Sequence, residues 1–254
     1  MKIRILGSGT SSGVPRIGND WGTCDPAEPR NRRTRASVLV ETATTRILVD
    51  TGPDMREQLL AAGIGTVDAV IWTHDHADHT HGIDDLRQIY HTLRGPVRGF
   101  ARPATRAVLE ERFDYVFRGR DGYPPTVAIE DLPAEILIGD VMIRSTGQPH
   151  GNIESAGLRF EHGGKSIGYA TDFNILTNDM ISLYQELDVW VVDALRYRPH
   201  PTHPDVPTTL GWIEQLRPRR AALIHMDQSM DYAALVGVLP AGVEPGYDGL
   251  EVTP

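Results

Sequence analysis

The chain has 254 residues, of which 40% are hydrophobic and 23% charged, and this composition is typical of a globular protein rather than a disordered one. Its 25 basic and 34 acidic residues give a formal net charge of -9, which argues against a partner of long nucleic acid bound by charge alone. The single cysteine, Cys24, excludes an intramolecular disulfide and a cysteine-built metal site, and without a signal peptide or a long apolar run we expect a soluble cytoplasmic protein with no membrane partner.

Strands and helices alternate along the whole chain. Apolar, β-branched runs predict strands near residues 3–6, 37–41, 46–50, 68–73, 97–101, 140–145, 156–161, 166–171, 188–193, 220–225 and 249–253. Helical spacing predicts helices near 54–62, 82–93, 104–117, 178–187, 207–217 and 230–238. The glycine- and proline-rich segment 118–135 is predicted to be a surface excursion. No repeat or linker divides the chain, so we expect one domain over residues 1–254, built either as two packed sheets with helices outside or as one open sheet.

A dense group of possible metal ligands follows the predicted strand 68–73. Residues 73–82 read Thr-His-Asp-His-Ala-Asp-His-Thr-His-Gly, so His74, His76, Asp78 and His79 lie between a buried strand and the helix 82–93. Sites in α/β proteins lie beyond the carboxyl ends of strands. Residues at positions 74, 76 and 78 can converge on one side of such a loop while residue 79 points elsewhere, so one loop could serve two metals. Imidazole and carboxylate together suit zinc, and also manganese, iron or nickel.

Three more polar residues stand at or just beyond the ends of apolar runs. Asp172 follows Ser-Ile-Gly-Tyr-Ala-Thr, His225 follows Ala-Ala-Leu-Ile, and His150 lies shortly after Val-Met-Ile-Arg-Ser-Thr. Any one of them alone is as readily a turn former, a helix cap or a satisfied histidine. Together with the loop they predict seven ligands, with His74, His76 and His150 for one ion, Asp78, His79 and His225 for the other, and Asp172 between them.

At these residues the chain resembles the metallo-β-lactamase superfamily. Its signature His-x-His-x-Asp-His is present as His74, His76, Asp78 and His79, and the turn Asp50-Thr51-Gly52 matches the superfamily's early Asp-x-Gly turn. The resemblance implies the αββα sandwich, in which two mixed sheets pack face to face with helices outside.

Within the superfamily, the chain is similar to the phosphoribosyl cyclic phosphate phosphodiesterase of the carbon-phosphorus lyase pathway and its relatives. The similarity lies in the opening loop 7–15, in His200-Pro-Thr-His203 and in the ending 246–251. It implies that His203 assists the phosphodiester chemistry and that Asp78 contacts metal and the hydrolytic water. The chain departs from this branch because Cys24 stands alone, without the cysteine cluster that holds an extra structural zinc, and Gln228 stands where a second histidine is expected.

The sequence therefore predicts a dinuclear phosphodiesterase with Zn²⁺ or Mn²⁺, which cleaves a small diester of a ribose phosphate or nucleotide by a hydroxide that bridges the metals, and a cyclic diester is the preferred candidate. His203 is assigned as the proton donor and Asp78 as the residue that orients the nucleophile. Asp50 and Asp193 fit as acceptors for the N–H groups of ligand imidazoles. The alternatives are a tRNA 3′-processing nuclease, a thioesterase or lactonase of the glyoxalase II type, and a metal-dependent nucleotide-binding module without catalysis.

Substrate-binding residues are assigned from weaker patterns. Ser11 and Gly13 belong to a glycine-rich loop whose backbone N–H groups could hold phosphate, although such a loop is as readily a tight turn. Arg33 or Arg35, in the basic run 30–35, could contact an anionic substrate, although a basic run is usually a solvated face. His203 is also assigned to substrate binding. A small phosphodiester is the expected partner, and the sequence leaves open whether the chain forms a homodimer.

Overall fold

The computed structural model describes residues 1–254 and contains fourteen strands in two seven-stranded sheets. The strands are β1 (Lys2–Gly7), β2 (Ser37–Glu41), β3 (Arg46–Val49), β4 (Ala69–Trp72), β5 (Val97–Ala101), β6 (Val127–Asp131), β7 (Glu135–Ile138), β8 (Val141–His150), β9 (Ile153–His162), β10 (Lys165–Ala170), β11 (Val189–Asp193), β12 (Arg220–Ile224), β13 (Val243–Pro245) and β14 (Glu251–Val252). The first sheet has the order β14-β1-β2-β3-β4-β5-β6, and the second has the order β13-β12-β11-β10-β9-β8-β7.

Eight α-helices connect the strands. They are α1 (Met55–Ala62), α2 (Ala77–Thr80), α3 (Leu86–Leu93), α4 (Pro103–Arg112), α5 (Asp114–Arg118), α6 (Asn178–Tyr184), α7 (Val206–Leu216) and α8 (Tyr232–Val238). Short 3₁₀ turns occur at Pro29–Asn31 and Ile83–Asp85. None of the helices combines the length and the apolar character needed to cross a lipid bilayer.

Three hydrophobic cores define four layers. Side chains of both sheets form a central core of 24 buried residues, and two outer cores of 17 residues each lie between a sheet and its helices. Strand β2 shows how one strand contributes to two cores, because Val38 and Val40 belong to the central core whereas Leu39 belongs to an outer core. A strand covered on both faces needs an uninterrupted apolar run, which is how these strands read in the sequence. The predicted αββα sandwich is confirmed, and the alternative of one open sheet is wrong.

The differences from the predicted elements concentrate at the sheet edges. Strands β6, β7 and β13 were not predicted, and β6 lies inside the segment 118–135 that was assigned to a surface excursion. Strand β6 is an edge strand whose last residues, Glu130 and Asp131, are exposed, so its sequence lacks a long apolar run. The predicted helix 104–117 is divided at Phe113, whose φ of -123° and ψ of 41° are not helical. Helix α2 has only four residues, too few for a periodic signal.

Parallel pairing brings the carboxyl ends of several strands to one edge of the sandwich. Strands β3, β4 and β5 are parallel neighbours in the first sheet, and β10, β11 and β12 are parallel neighbours in the second. Residues that directly follow these strands therefore meet at this edge, which is where the candidate site lies.

Candidate metal centre

The seven predicted ligands come from both sheets and meet at the shared edge. His74 and His76 follow β4, while Asp78 and His79 lie in α2. The second sheet contributes the remaining three, which are His150 at the end of β8, Asp172 just after β10 and His225 directly after β12. Six of the seven are buried, and His76 is exposed.

The first cluster consists of His74, His76, His150 and Asp172, whose possible ligand atoms all lie within 4.8 Å of one another. The Asp172 Oδ1 atom lies 3.7 Å from His74 Nε2 and 3.6 Å from His150 Nε2. These three nitrogens and one oxygen surround a common volume. The donor number and chemistry suit a divalent transition metal.

The second cluster consists of Asp78, His79 and His225. His79 Nε2 lies 3.3 Å from Asp78 Oδ2, and His225 Nε2 lies 3.7 Å from the same oxygen. The other carboxylate oxygen of Asp172, Oδ2, lies 3.2 Å from His79 Nε2 and 3.6 Å from His225 Nε2. One oxygen of Asp172 thus faces each cluster, which is the placement of a carboxylate that bridges two ions.

The local geometry of the loop differs from the simple alternation expected from sequence. Residues 74, 76 and 78 do not converge on one side. Helix α2 begins at Ala77 and places Asp78 in the same turn as His79, so these two side chains point together into the second cluster. The expectation that position 79 would point away from position 78 was wrong, because the chain leaves the extended conformation between His76 and Asp78.

The buried nitrogens of this site have unmet bonding capacity. His74 Nε2, His79 Nε2 and His225 Nε2 are buried without a hydrogen-bond partner. A buried polar atom left unpaired costs free energy on the order of 1–3 kcal/mol. Several such nitrogens converging beside carboxylates are explained by a shared cationic ligand, so the residues fit a pair of divalent metal ions.

Other side chains orient the imidazoles. Asp50 Oδ2 lies 2.7 Å from His79 Nδ1, as predicted, and Asp50 also accepts hydrogen bonds from the backbone N–H and the hydroxyl of Thr73. The Thr73 hydroxyl lies 3.0 Å from His74 Nδ1. His150 Nδ1 lies 3.0 Å from the carbonyl oxygen of Thr202. Each imidazole held at Nδ1 in this way presents Nε2 to the site.

Asp172 is held from behind by a buried polar network. The Ser155 hydroxyl donates to the carbonyl oxygen of Asp172 at 2.7 Å. The Gln148 amide donates to Ser155 Oγ at 2.9 Å, and the Tyr184 hydroxyl donates to Gln148 Oε1 at 2.8 Å. The network fixes a residue whose φ of 54° is unusual for an aspartate. Sequence reasoning missed Ser155, Gln148 and Thr73, because single neutral polar residues in strands carry no pattern.

His203 lies against both clusters. Its Nδ1 is 2.8 Å from Asp193 Oδ2 and its Nε2 is 3.8 Å from Asp172 Oδ1. The ring stacks on that of His225 at 4.8 Å with an angle of 10° between the planes. Asp193 was predicted to support ligand imidazoles, but its hydrogen-bonded imidazole is that of His203, while His225 Nδ1 is 4.0 Å from Asp193 Oδ1. The ring of His200 lies 5.1 Å from the His203 ring.

The pKa values of the site follow from burial and from the surrounding charges. Burial opposes ionisation of Asp172, but the nearby imidazoles of His225, His79 and His74 lower its pKa well below the usual range. Burial lowers the pKa of His74. Burial also opposes protonation of His225, yet Asp172 and Asp193 raise its pKa to about 9. The Asp172 carboxylate at the centre of the site is thus anionic, which is the form that binds a metal ion.

Two assignments to substrate binding are not supported by the structure. Arg33 is only 2% exposed, and its guanidinium donates to the carbonyl oxygens of Met230 at 2.5 Å and Asp227 at 3.4 Å. It therefore joins the loop 24–33 to the loop after β12 and has no access to a substrate. The Gly13 N–H already donates to the Thr10 carbonyl oxygen at 2.8 Å, so it is not free to bind phosphate. The tight-turn alternative describes Gly13, whose φ is 65°.

The other two candidates lie at the surface near the opening loop. Ser11 is exposed, and its carbonyl oxygen accepts a hydrogen bond from Arg35 Nε at 3.3 Å. Arg35 also forms an ion pair with Asp54 at 3.0 Å. Its charge is therefore already matched within the protein. Ser11 remains a prediction.

Comparisons with known proteins agree with this geometry. The sequence model of the beta-lactamase superfamily domain matches residues 45–226. A crystal structure described as a new diphosphatase from the PhnP family is 33% identical, covers 99% of this chain and 97% of that one, and superposes with a TM-score of 0.88.

Two relatives with assigned functions are similar to this chain over only part of their own length. An octanoyltransferase of Porphyromonas gingivalis is 33% identical over 264 residues, which cover 99% of this chain and 51% of that protein. A ribonuclease Z of a Bradyrhizobium species is 41% identical over 68 residues, which cover 26% of this chain and 22% of that protein. The chain spans about half of the first relative and less of the second.

Proposed function

The chain belongs to the metallo-β-lactamase superfamily, in its PhnP-like branch, and we propose that it hydrolyses a small phosphodiester of a ribose phosphate or nucleotide. The coarser activity, metal-dependent hydrolysis of a phosphoester, follows from the family, from the diphosphatase and ribonuclease relatives and from the ligand clusters. The diester specificity rests on the arrangement of His203 beside the clusters.

Seven side chains would hold two divalent ions. His74, His76 and His150 would hold one, Asp78, His79 and His225 the other, and Asp172 would contact both. When bound, the two cations supply positive charge for the non-bridging phosphate oxygens and lower the pKa of a bound water molecule. Zn²⁺ and Mn²⁺ both suit this set of donors, with iron and nickel as alternatives.

The observation that carries the proposal is the orientation of His203. Its Nδ1 donates to Asp193 Oδ2 at 2.8 Å, so the second proton of the protonated ring lies on Nε2. That nitrogen faces the site, 3.8 Å from Asp172 Oδ1. An alkoxide leaving group needs a proton as the P–O bond breaks, and His203 Nε2–H is placed to give it. Asp78, at the opposite cluster, would accept a hydrogen bond from the attacking water and orient it.

The experiment compares His203→Ala with His200→Ala as a matched control, because both rings lie in the same loop. Each metal-loaded protein is assayed on a cyclic ribose phosphate, a 2′,3′-cyclic nucleotide and bis-p-nitrophenyl phosphate. For the cyclic diesters, His203→Ala lowers kcat by about 10²–10⁴-fold, the range for loss of general acid catalysis, and the metal content stays the same. The loss is smaller on bis-p-nitrophenyl phosphate, because nitrophenolate leaves without a proton. An equal loss on all substrates excludes the proton-donor role.

Further substrates separate the proposed diester from its alternatives. Turnover of precursor tRNA without turnover of small diesters favours a nuclease. Turnover of thioesters or lactones alone favours the glyoxalase II type. Preferred cleavage of a diphosphate linkage assigns this chain the chemistry of its diphosphatase relative. Nucleotide binding without turnover of any of these under any metal favours a binding module.

A further inference from the structure

A second cavity lies away from the metal centre, on the outer side of the first sheet. It has a volume of about 590 Å³ and is lined by residues of the 3₁₀ turn Ile83–Asp85, of α3 and of the segment from α5 to β6. Helices α3 and α5 pack on the outer core of the first sheet through Leu86, Ile89 and Val116. The sheet therefore separates this cavity, which we name the α3–α5 cavity, from the second sheet. None of the seven predicted metal ligands lines it.

One wall of the cavity is a face of α3. Arg87, Tyr90 and His91 are spaced at i, i+3 and i+4, so they lie on the same side of the helix. Arg87 forms no ion pair with any carboxylate in the structure, and its guanidinium instead lies 5.1 Å from the centre of the Tyr123 ring. Arg87 is exposed and has no acidic partner although the protein has a net charge of -9, so its guanidinium is available to bind an anion.

Another part of the lining is a two-residue hairpin turn after α5. Arg120 and Tyr123 exchange two backbone hydrogen bonds, at 3.1 and 2.9 Å, around Asp121 and Gly122, which both have positive φ. Tyr123 is 65% exposed although it is a large aromatic residue, and Arg87 is the one cation stacked on it. The turn thus holds an aromatic face open to solvent above the α3 wall.

Carboxylates complete the lining. Burial and a hydrogen bond to Asp84 raise the pKa of the Tyr115 hydroxyl to about 12, so this hydroxyl remains protonated and directed at Asp84. Asp84 and Asp121 line the cavity and offer acceptors, while Arg120 is already paired with Asp114 at 3.2 Å. The cavity therefore combines exposed aromatic faces, one unpaired guanidinium and hydrogen-bond acceptors.

We propose that the α3–α5 cavity binds a nucleoside monophosphate, independently of the metal centre. The base would stack on Tyr123, the phosphate would bind Arg87, and the carboxylates of Asp84 or Asp121 would accept hydrogen bonds from the amino groups of the base. Stacking of a base on an aromatic side chain contributes about 1–3 kcal/mol, and the guanidinium provides charge-assisted hydrogen bonds to phosphate. The volume is within the range of about 300–1,000 Å³ usual for small-molecule sites.

The experiment measures binding of AMP to the metal-loaded protein by calorimetry, and parallel diester assays identify any AMP bound at the metal centre, where it would inhibit turnover. Adenosine and ribose 5-phosphate are the partial probes. AMP binds with one site per chain and more tightly than either probe, because only AMP offers both a base and a phosphate. Tyr123→Ala and Arg87→Ala each weaken AMP binding by about tenfold or more, and neither changes kcat or KM on the diester.

Arg118→Ala is the matched control. It removes an exposed arginine at the end of α5 that does not line the cavity, and AMP binding stays the same. Tyr123 and Arg87 are exposed, so both variants fold, and unchanged melting temperatures verify this. The proposal is overturned if AMP does not bind, if ribose 5-phosphate binds as tightly as AMP, or if Tyr123→Ala and Arg87→Ala bind AMP like the parent protein. Failure of this binding leaves the hydrolysis of diesters untouched, since the two sites share no residue.

Discussion

Replacement of Arg33 by methionine separates a structural role from a role in substrate binding. The guanidinium has one short hydrogen bond, to the Met230 carbonyl oxygen at 2.5 Å, and longer contacts with Asp227 O at 3.4 Å, Asn31 Oδ1 at 3.4 Å and Cys24 Sγ at 3.7 Å. Methionine retains much of the apolar stem but leaves these acceptors without a donor. We expect the variant to be less stable and to bind substrate normally.

The magnitude follows from opposing contributions. The short charge-assisted bond contributes roughly 1.5–3 kcal/mol, and the three long contacts add little. Burial of the Arg33 guanidinium has a desolvation cost, which is also why the pKa of Arg33 is lowered. The methionine variant does not have this cost, so part of the lost stability is recovered. The net decrease in the free energy of unfolding is about 1–2 kcal/mol, which for a chain of this size lowers the melting temperature by about 2–8 °C.

The assay pairs chemical denaturation with steady-state kinetics on the cyclic diester. The control is Arg32→Met, which changes the neighbouring arginine, an exposed residue stacked on Trp21 at 5.5 Å. Arg32→Met stays within about 0.5 kcal/mol of the parent protein, as surface substitutions usually do. A tenfold rise in KM for Arg33→Met with unchanged stability would refute the structural role and return Arg33 to the substrate site.

Two further predictions concern buried polar groups. Ser155→Ala removes the hydroxyl that donates to the Asp172 carbonyl oxygen, and we expect about tenfold weaker metal binding in a competition with a chelator, whereas Ser145→Ala, in the neighbouring strand, binds metal normally. Asp248 accepts four hydrogen bonds from Ser8 and Thr34, so Asp248→Asn, which places an amide against donors, lowers the free energy of unfolding by about 2–4 kcal/mol. Burial raises the pKa of folded Asp248, so its contribution to stability is largest at low pH and decreases as the pH rises from the unfolded value of about 3.9 through the folded value. Denaturation across this pH range measures the difference in the free energy of unfolding between the parent protein and Asp248→Asn. We expect this difference to increase as the pH falls, and a decrease contradicts a raised pKa of folded Asp248.

The strands at the centre of each sheet could be predicted because packing on both faces imposes a continuous apolar run. Strand β2 was predicted with its observed bounds, Ser37–Glu41, and all five residues are buried. Edge strands escape this rule. Strand β7 has the burial pattern of a half-exposed edge, with Leu137 58% exposed, and its sequence does not distinguish it from a loop.

Arg33 and Arg35 show why the substrate-binding assignments were weaker than the metal-ligand assignments. Both lie in one basic run, yet Arg33 is buried among backbone carbonyl oxygens and Arg35 pairs with Asp54. Local sequence predicts that an arginine seeks an acceptor, but a distant segment supplies that acceptor. The contact between Arg33 and Met230 spans 197 positions of the chain, so no window around residue 33 contains the information.

The clustering of the seven candidate metal ligands was predictable, because it does not depend on distant loop contacts. Their position is fixed by the strands before them, and strand ends meet at one edge of a parallel sheet whatever the loops do. What the pattern could not show is the turn of the backbone at that edge. Asp50, Asp172 and His225 each follow a strand with φ of 67°, 54° and 58°. This left-handed conformation is unfavourable for residues other than glycine, and it persists only where the surroundings hold it. Hydrogen bonds from Thr73 to Asp50 and from Ser155 to Asp172 provide that constraint, so the neutral residues that sequence reasoning passed over are the ones that direct the charged side chains into the site.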